Sequence, residues 1–212
     1  MSIRAVNKRG WYEVGDQEYI SVTTVLSIIS KGDGLLNWYA KLGFEKAKEV
    51  MKEKGKRGTT VHKTIEQYLR GNIKNFDLQP KEIKTFCEPV AKWVNDMGLD
   101  IMDIERIVYS DKSRFAGSLD ILAKLPDGKI IIGDFKTSKA IYNTYFLQLA
   151  AYAKALQEKD KIKVDSLVII RPDEDGELEI QSMDNIDELY EIFLSALKIY
   201  KWLHPRNALR LK

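Results

Sequence analysis

A chain of 212 residues, 44% of them hydrophobic, is long enough for one substantial core and short for two independent ones. A formal charge of +3 says little about an acidic partner by itself. The single cysteine, Cys87, excludes an intramolecular disulfide and leaves too few ligands for a cysteine-held zinc or an iron–sulfur cluster.

No stretch approaches the roughly 18 uninterrupted apolar residues of a membrane span. The first ten residues lack the apolar segment of a secretory signal, which predicts a soluble, intracellular protein with no membrane partner. Segment 10–22 alternates aromatic and polar residues around Gly15-Asp16, the pattern of a short hairpin at a sheet edge. Ser21 or Thr23 then caps a short helix through Ile29, which Lys31-Gly32-Asp33-Gly34 ends. A second helix starts at Leu35. It is apolar through Leu36, Trp38, Tyr39, Leu42 and Phe44, charged from Glu45 to Lys54, and stopped at Gly55. A third, over 59–69, carries an apolar stripe of Val61, Ile65, Tyr68 and Leu69 and ends at Gly71. A fourth, over 79–97, is closed by Gly98. The densest basic run, 46–57, leads into the third helix; a phosphate-rich ligand and a solvated helix face both account for it.

From Ile101 the pattern becomes that of strands. Segments 101–110, 114–125 and 129–138 read as three consecutive antiparallel strands, the last two joined by a Pro126-Asp127-Gly128 turn. Ile130-Ile131-Ile132 is apolar on both faces, as a central strand covered on two sides requires. A helix over 141–157 crosses right-handed to a strand over 164–170. A turn at Asp173-Glu174-Asp175-Gly176, a strand near 178–181 and a closing helix over 186–203 follow. The order predicts an α/β fold: a mixed central β-sheet, antiparallel meander plus βαβ, flanked by helices, in a single domain over 1–212 with a hairpin and helical wall over 1–98.

Side chains alternate along a strand, so Asp134 and Lys136 project together while Phe135 points into the opposite layer. Pairing residues 120 and 134 centres the hairpin on 127, inside the predicted turn, and brings Asp120 beside Asp134. Two carboxylates at close range repel, and a hard divalent cation, Mg²⁺ or Mn²⁺, is the economical compensation. Such an ion polarises a phosphoryl oxygen and lowers the pKa of a bound water, while Lys136 orients that water, helps to deprotonate it or neutralises developing charge. An isolated Asp-x-Lys is more often a surface ion pair.

Four segments in order supply the missing context: Gly58-Thr59-Thr60-Val61-His62-Lys63-Thr64-Ile65-Glu66, Gly117-Ser118-Leu119-Asp120, Asp134-Phe135-Lys136-Thr137-Ser138, and Gln148-Leu149-Ala150-Ala151-Tyr152. With them the chain resembles the PD-(D/E)XK nuclease superfamily and, within it, RecB-type exonucleases such as phage exonucleases and the mitochondrial genome maintenance exonuclease. Ser21-Val22-Thr23-Thr24-Val25-Leu26 also looks like the beginning of several such enzymes. The resemblance implies a restriction-endonuclease-like core and a metal-dependent deoxyribonuclease. Asp120 and Asp134 would be metal ligands, joined by the Phe135 carbonyl and by His62, with Lys136 as the catalytic lysine. Gln148 and Tyr152, spaced i, i+4, would support the site and the DNA backbone.

Glu66, one turn after His62, is either a further acidic contributor or a partner of the basic run. Glu105 is an acidic candidate that a solvent-facing strand residue explains equally well. Thr137, Ser138 and Lys139 stand where hydroxyls and backbone N–H groups suit a phosphate, or merely a helix cap. Arg57, Thr59, Ser138, Lys139 and Tyr142 make up the expected nucleic-acid-binding set. Trp38, Tyr39 and Tyr142 offer rings for base stacking or for the core.

The expected partner is DNA, as single strands or ends, with unwinding left to a helicase or a replication or recombination partner, because no Gly-x-x-x-x-Gly-Lys-Ser/Thr pattern is present. Replication, recombination and repair all fit, as do a cytoplasmic, a viral or phage, and a mitochondrial setting. Two other readings share the same residues: a structure-specific endonuclease, and a catalytically silent nucleic-acid-binding module.

Overall fold

Apolar side chains at alternating strand positions serve two opposite layers, and this sorting organises the molecule. The computed structural model describes residues 3–6, 10–29 and 33–211. The strands are β1 (Ile3–Val6), β2 (Trp11–Val14), β3 (Gln17–Ser21), β4 (Asp100–Ser110), β5 (Phe115–Lys124), β6 (Ile130–Phe135), β7 (Ser166–Pro172) and β8 (Leu178–Met183). The helices are α1 (Val22–Leu26), α2 (Asp33–Leu42), α3 (Phe44–Leu69), α4 (Lys81–Asp96), α5 (Asn143–Asp160), α6 (Ile186–Leu203) and α7 (Pro205–Arg210).

The strands form one mixed sheet in the order β1-β2-β3-β5-β6-β7-β8, with β4 paired to β5. β4, β5 and β6 are the antiparallel meander, and β6, α5 and β7 are the parallel crossover unit. On β6, Ile132 joins a core built with α1, α5 and α6, while Ile131 and Phe135 join a second core built with α3 and α4. β7 divides the same way: Leu167 and Ile169 face the first core, Val168 and Ile170 the second. The predicted α/β sandwich is therefore present, with the central strands covered on both sides. Among the described residues no helix is long and apolar enough to cross a membrane.

Several boundaries differ from the sequence reading. The helix expected to stop at Gly55 runs through it, so α3 is one 26-residue helix, about 39 Å long. The break falls earlier, at Gly43, whose φ of 80° is a left-handed conformation open to glycine. The hairpin of β2 and β3 is not the edge: β1 adds outside it, and β3 pairs in parallel with β5. Ser21 occupies the N-cap position of α1, but its hydroxyl meets Thr23 Oγ1 at 2.8 Å and makes no cap bond. A short α7, beginning at Pro205, follows the closing helix. Lys31 and Gly32 of the expected helix stop, and the Leu35 and Leu36 side chains, lie outside the described residues.

Candidate active site at a fork in the sheet

β5 carries β4 along one edge for its whole length. Its other edge is shared, because β3 pairs with Phe115 and Ala116 and β6 pairs with residues 121 to 124. Between them the edge opens into a fork at Gly117-Ser118-Leu119-Asp120. The β5–β6 ladder ends at Ile121 with Gly133, one step short of Asp120 and Asp134, in the register that the hairpin symmetry predicts. Asp120 Oδ2 accepts the backbone N–H of Phe135 at 2.7 Å, so a side-chain oxygen takes a donor that a ladder carbonyl would otherwise receive. The same oxygen lies 3.3 Å from His62 Nδ1 on α3. Asp120 thus joins α3 to β6 at the fork.

On the α5 side, Asp134 and Lys136 form an ion pair, and Asp134 is only 2% exposed. Gln148 ties this pair to the helix: its Nε2 donates to Asp134 Oδ1 at 3.2 Å and to the Tyr152 hydroxyl at 3.3 Å, and Lys136 Nζ donates to its Oε1 at 3.5 Å. Tyr152 is buried against Gly117, where a Cβ would stand 2.3 Å from the phenol ring. The glycine of the Gly-Ser-Leu-Asp segment is thereby explained by a residue 35 positions later on another element.

On the α3 side, Glu105 joins His62 and Asp120, with one ligand atom of each within 4.8 Å of the others. Its backbone is unusual for a strand. Ile104 pairs with Ile121 and Arg106 with Leu119, while Glu105 between them has φ 53°. This left-handed conformation is strained for a residue with a Cβ and sits directly opposite Asp120. Ser118 Oγ donates to Glu105 Oε2 at 3.2 Å. Glu66 is engaged by Arg70 Nε at 2.9 Å, and Arg70 also donates to the Ile104 carbonyl at 2.9 Å, pinning the backbone beside Glu105.

The electrostatics follow from this crowding. Burial pushes the Asp134 carboxyl up to about 6, with the Lys136 charge opposing that rise and the Asp120 charge adding to it. Burial alone would lower the His62 imidazole, but the hydrogen bond and charge of Asp120, helped by Asp134, lift it to about 9. Glu105 is raised by burial and then by the Asp120 charge. Lys136 is raised because Asp134 and Asp120 outweigh its burial. Such displaced carboxyls around one lysine are typical of reactive sites. Cys87, by contrast, is buried in the second core with its thiol pushed up to about 12 by burial, and is inert.

Of the expected nucleic-acid set, three residues are engaged within the protein and two are exposed. Arg57 is held by Glu82 at 3.0 Å and Glu174 at 2.7 Å and lies over the Phe86 ring, a clamp between α3, α4 and the β7–β8 turn rather than a free cation. Thr59 bonds back to the Gly55 carbonyl and Ser138 to the Ala140 carbonyl. Lys139 is exposed, and Tyr142, 48% exposed, packs edge-on against Tyr145. Trp38 and Tyr39 lie on α2, and Tyr39 stacks on Phe44. Two residues beyond the sequence reading border the site. The Tyr145 ring lies 4.7 Å from Lys136 Nζ, and Tyr12 is raised by burial and then by Glu105. Spacing i, i+3 before Gln148 was the signal for Tyr145; nothing in the hairpin pattern singles out Tyr12.

No protein-family model matches the chain, and no curated protein matches its sequence. Among solved structures, the chain is similar to SSO0001 at 13% identity, covering 86% of this chain and 78% of that one with a TM-score of 0.44. It is similar to a candidate exonuclease from Eubacterium rectale at 13% identity, covering 73% and 67% with a TM-score of 0.48. It is also similar to LHK-Exo, an alkaline exonuclease from Laribacter hongkongensis, in complex with dAMP, at 14% identity, covering 92% and 95% with a TM-score of 0.41. These are distant likenesses, and the functional reading rests on the fork itself.

Proposed function

We propose that this chain is a single-domain, metal-dependent DNA exonuclease that hydrolyses phosphodiester bonds on single strands or at DNA ends. The observation that carries this reading is the convergence, at one opening in the sheet, of Glu105, Asp120 and Asp134 with His62 and Lys136. A structural ion pair needs neither three carboxylates nor a strained strand residue.

The donor set suits a hard divalent cation: carboxylate oxygens and one imidazole, close enough together to share an ion. Asp120 and His62 would hold it, with Glu105 and Asp134 as further carboxylates and the Phe135 carbonyl as a backbone oxygen. When bound, Mg²⁺ or Mn²⁺ supplies positive charge to the phosphodiester and lowers the pKa of a coordinated water. The remaining work belongs to the chain. Lys136, kept protonated by Asp134, offers its ammonium to the charge that grows on a phosphoryl oxygen. Gln148 holds both members of that pair to α5, and Tyr152 holds Gln148. Lys139 and Tyr142, exposed just after the lysine, are the surface groups we assign to the nucleic-acid strand.

The test uses end-labelled single- and double-stranded DNA, linear and circular, with Mg²⁺ or Mn²⁺. Linear substrates are expected to shorten from an end, and Asp134→Ala and Lys136→Ala to slow this severely. Cutting of circular single strands would remove the exonuclease assignment, and undiminished activity in excess EDTA would remove the metal.

A further inference from the structure

Building on the nuclease reading above, we propose that Tyr145 is a positioning residue for Lys136, its ring closing the third side of a cradle that aims the ammonium into the fork.

A lysine ammonium has three N–H donors and no acceptor. Lys136 Nζ meets Asp134 Oδ2 in an ion pair, Gln148 Oε1 at 3.5 Å and the Tyr145 ring with its centroid at 4.7 Å. Tyr145 precedes Gln148 by three residues on α5, a spacing that puts both on one helix face. Tyr152 continues that face one turn later, so a single helix supplies the ring, the amide and the phenol behind the lysine. The ring is itself held, because Tyr142 packs edge-on against it at 5.5 Å between centroids. Tyr145 is half-buried at the margin of the first core, unlike the wholly buried Phe146 and Leu149 beside it, and its ring also meets the Lys136 ammonium.

The chemistry explains why a ring suits this position. A π face attracts an ammonium but does not take its proton, whereas another carboxylate there would bind it tightly and deepen the repulsion already present between Asp120 and Asp134. Held on two sides by oxygen and on the third by a ring, Lys136 stays charged and oriented. Only the weakest of the three contacts has to yield when a phosphoryl oxygen arrives.

Tyr145→Phe keeps the ring and Tyr145→Leu removes it. In Mn²⁺-supported cleavage of linear single-stranded DNA, Tyr145→Leu is expected to lower kcat roughly tenfold with KM unchanged, and Tyr145→Phe to stay within about twofold of wild type. A second arm is independent of turnover. With lysine ¹³C-labelled at Cε, ring current shifts the Lys136 methylene resonance upfield in the wild type and in Tyr145→Phe, and Tyr145→Leu returns it to the position of solvent-exposed lysines. Wild-type kcat in Tyr145→Leu, equal losses in Phe and Leu, or an unmoved Lys136 resonance would each overturn the assignment. Should the wild type cleave no DNA, the nuclease reading falls while the resonance still decides whether the ring holds the lysine. If Tyr145→Leu does not fold, Tyr145→Gln makes the same comparison at this half-buried position.

Discussion

The two sides of the fork are built on opposite principles. On the α5 side, Asp134, Lys136, Gln148 and Tyr152 are joined in a buried chain of ion pair and hydrogen bonds. On the α3 side, His62, Glu105 and Asp120 crowd their ligand atoms together, and Glu105 does so from a left-handed backbone. The first arrangement balances its charges internally and leaves the buried Asp134 Oδ2 to the Lys136 charge alone, with no hydrogen bond. The second concentrates negative charge that a cation would relieve. Orientation and charge demand are thus supplied by different elements, with Asp120 shared between them.

The comparison can be broken most severely at Lys136. Replacing it with alanine leaves Asp134 buried without its counter-charge, and kcat is expected to fall about 10²–10³-fold, measured by single-turnover cleavage at saturating Mn²⁺. If each side does its own work, Glu105→Gln acts differently. It is expected to weaken Mn²⁺ about 10–100-fold by calorimetry while most of the activity returns at high metal. An Mn²⁺ titration that matches wild type would take Glu105 out of the cation site.

Gly117→Ala tests the mechanical coupling between the fork and α5. The added methyl meets the Tyr152 ring, so a loss of about 1–3 kcal/mol is expected in urea unfolding. The loss should shrink in a Tyr152→Leu background, where the clash is gone. Full additivity of the two substitutions would deny the contact.

The smallest effect is one of pH on the metal-free protein. His62 is lifted from 6.5 to about 9, so its protonated form is held more tightly in the folded chain than in the unfolded one. That contribution is fully present below about pH 6.5 and disappears as pH rises through about 9. The Tm gap between wild type and His62→Gln in EDTA is expected to narrow across this range, and a gap that widens would mean that Asp120 does not hold the imidazolium. A cation must displace the same proton, so Mn²⁺ affinity should rise over the same window.

How much of this was legible depended on the range of the interaction concerned. The β5–β6 register was readable because a tight turn fixes it by symmetry, and period-2 alternation put Asp134 and Lys136 on one side. The two-layer sheet followed from the same alternation in the isoleucine run. The break at Gly43 was missed because Gly55 carries an equally plausible helix-stop signal, and only the packing of α3 selects between them. That Arg57 pairs with Glu82 and Glu174 was not legible, because both are remote from it in sequence.

By itself the sequence determined the meander, the crossover and the acidic and basic residues at the end of the central strand, since these follow from local periodicity and turn chemistry. The tertiary structure alone decided what surrounds them. It opened β5 into a fork because β3 and β6 share one of its edges. It turned Glu105 toward Asp120 through a backbone conformation that no residue type announces, and it laid Tyr145 against Lys136 across a helix–strand contact. The first set depends on neighbours along the chain. The second depends on which elements meet, and that is settled only when the whole core closes.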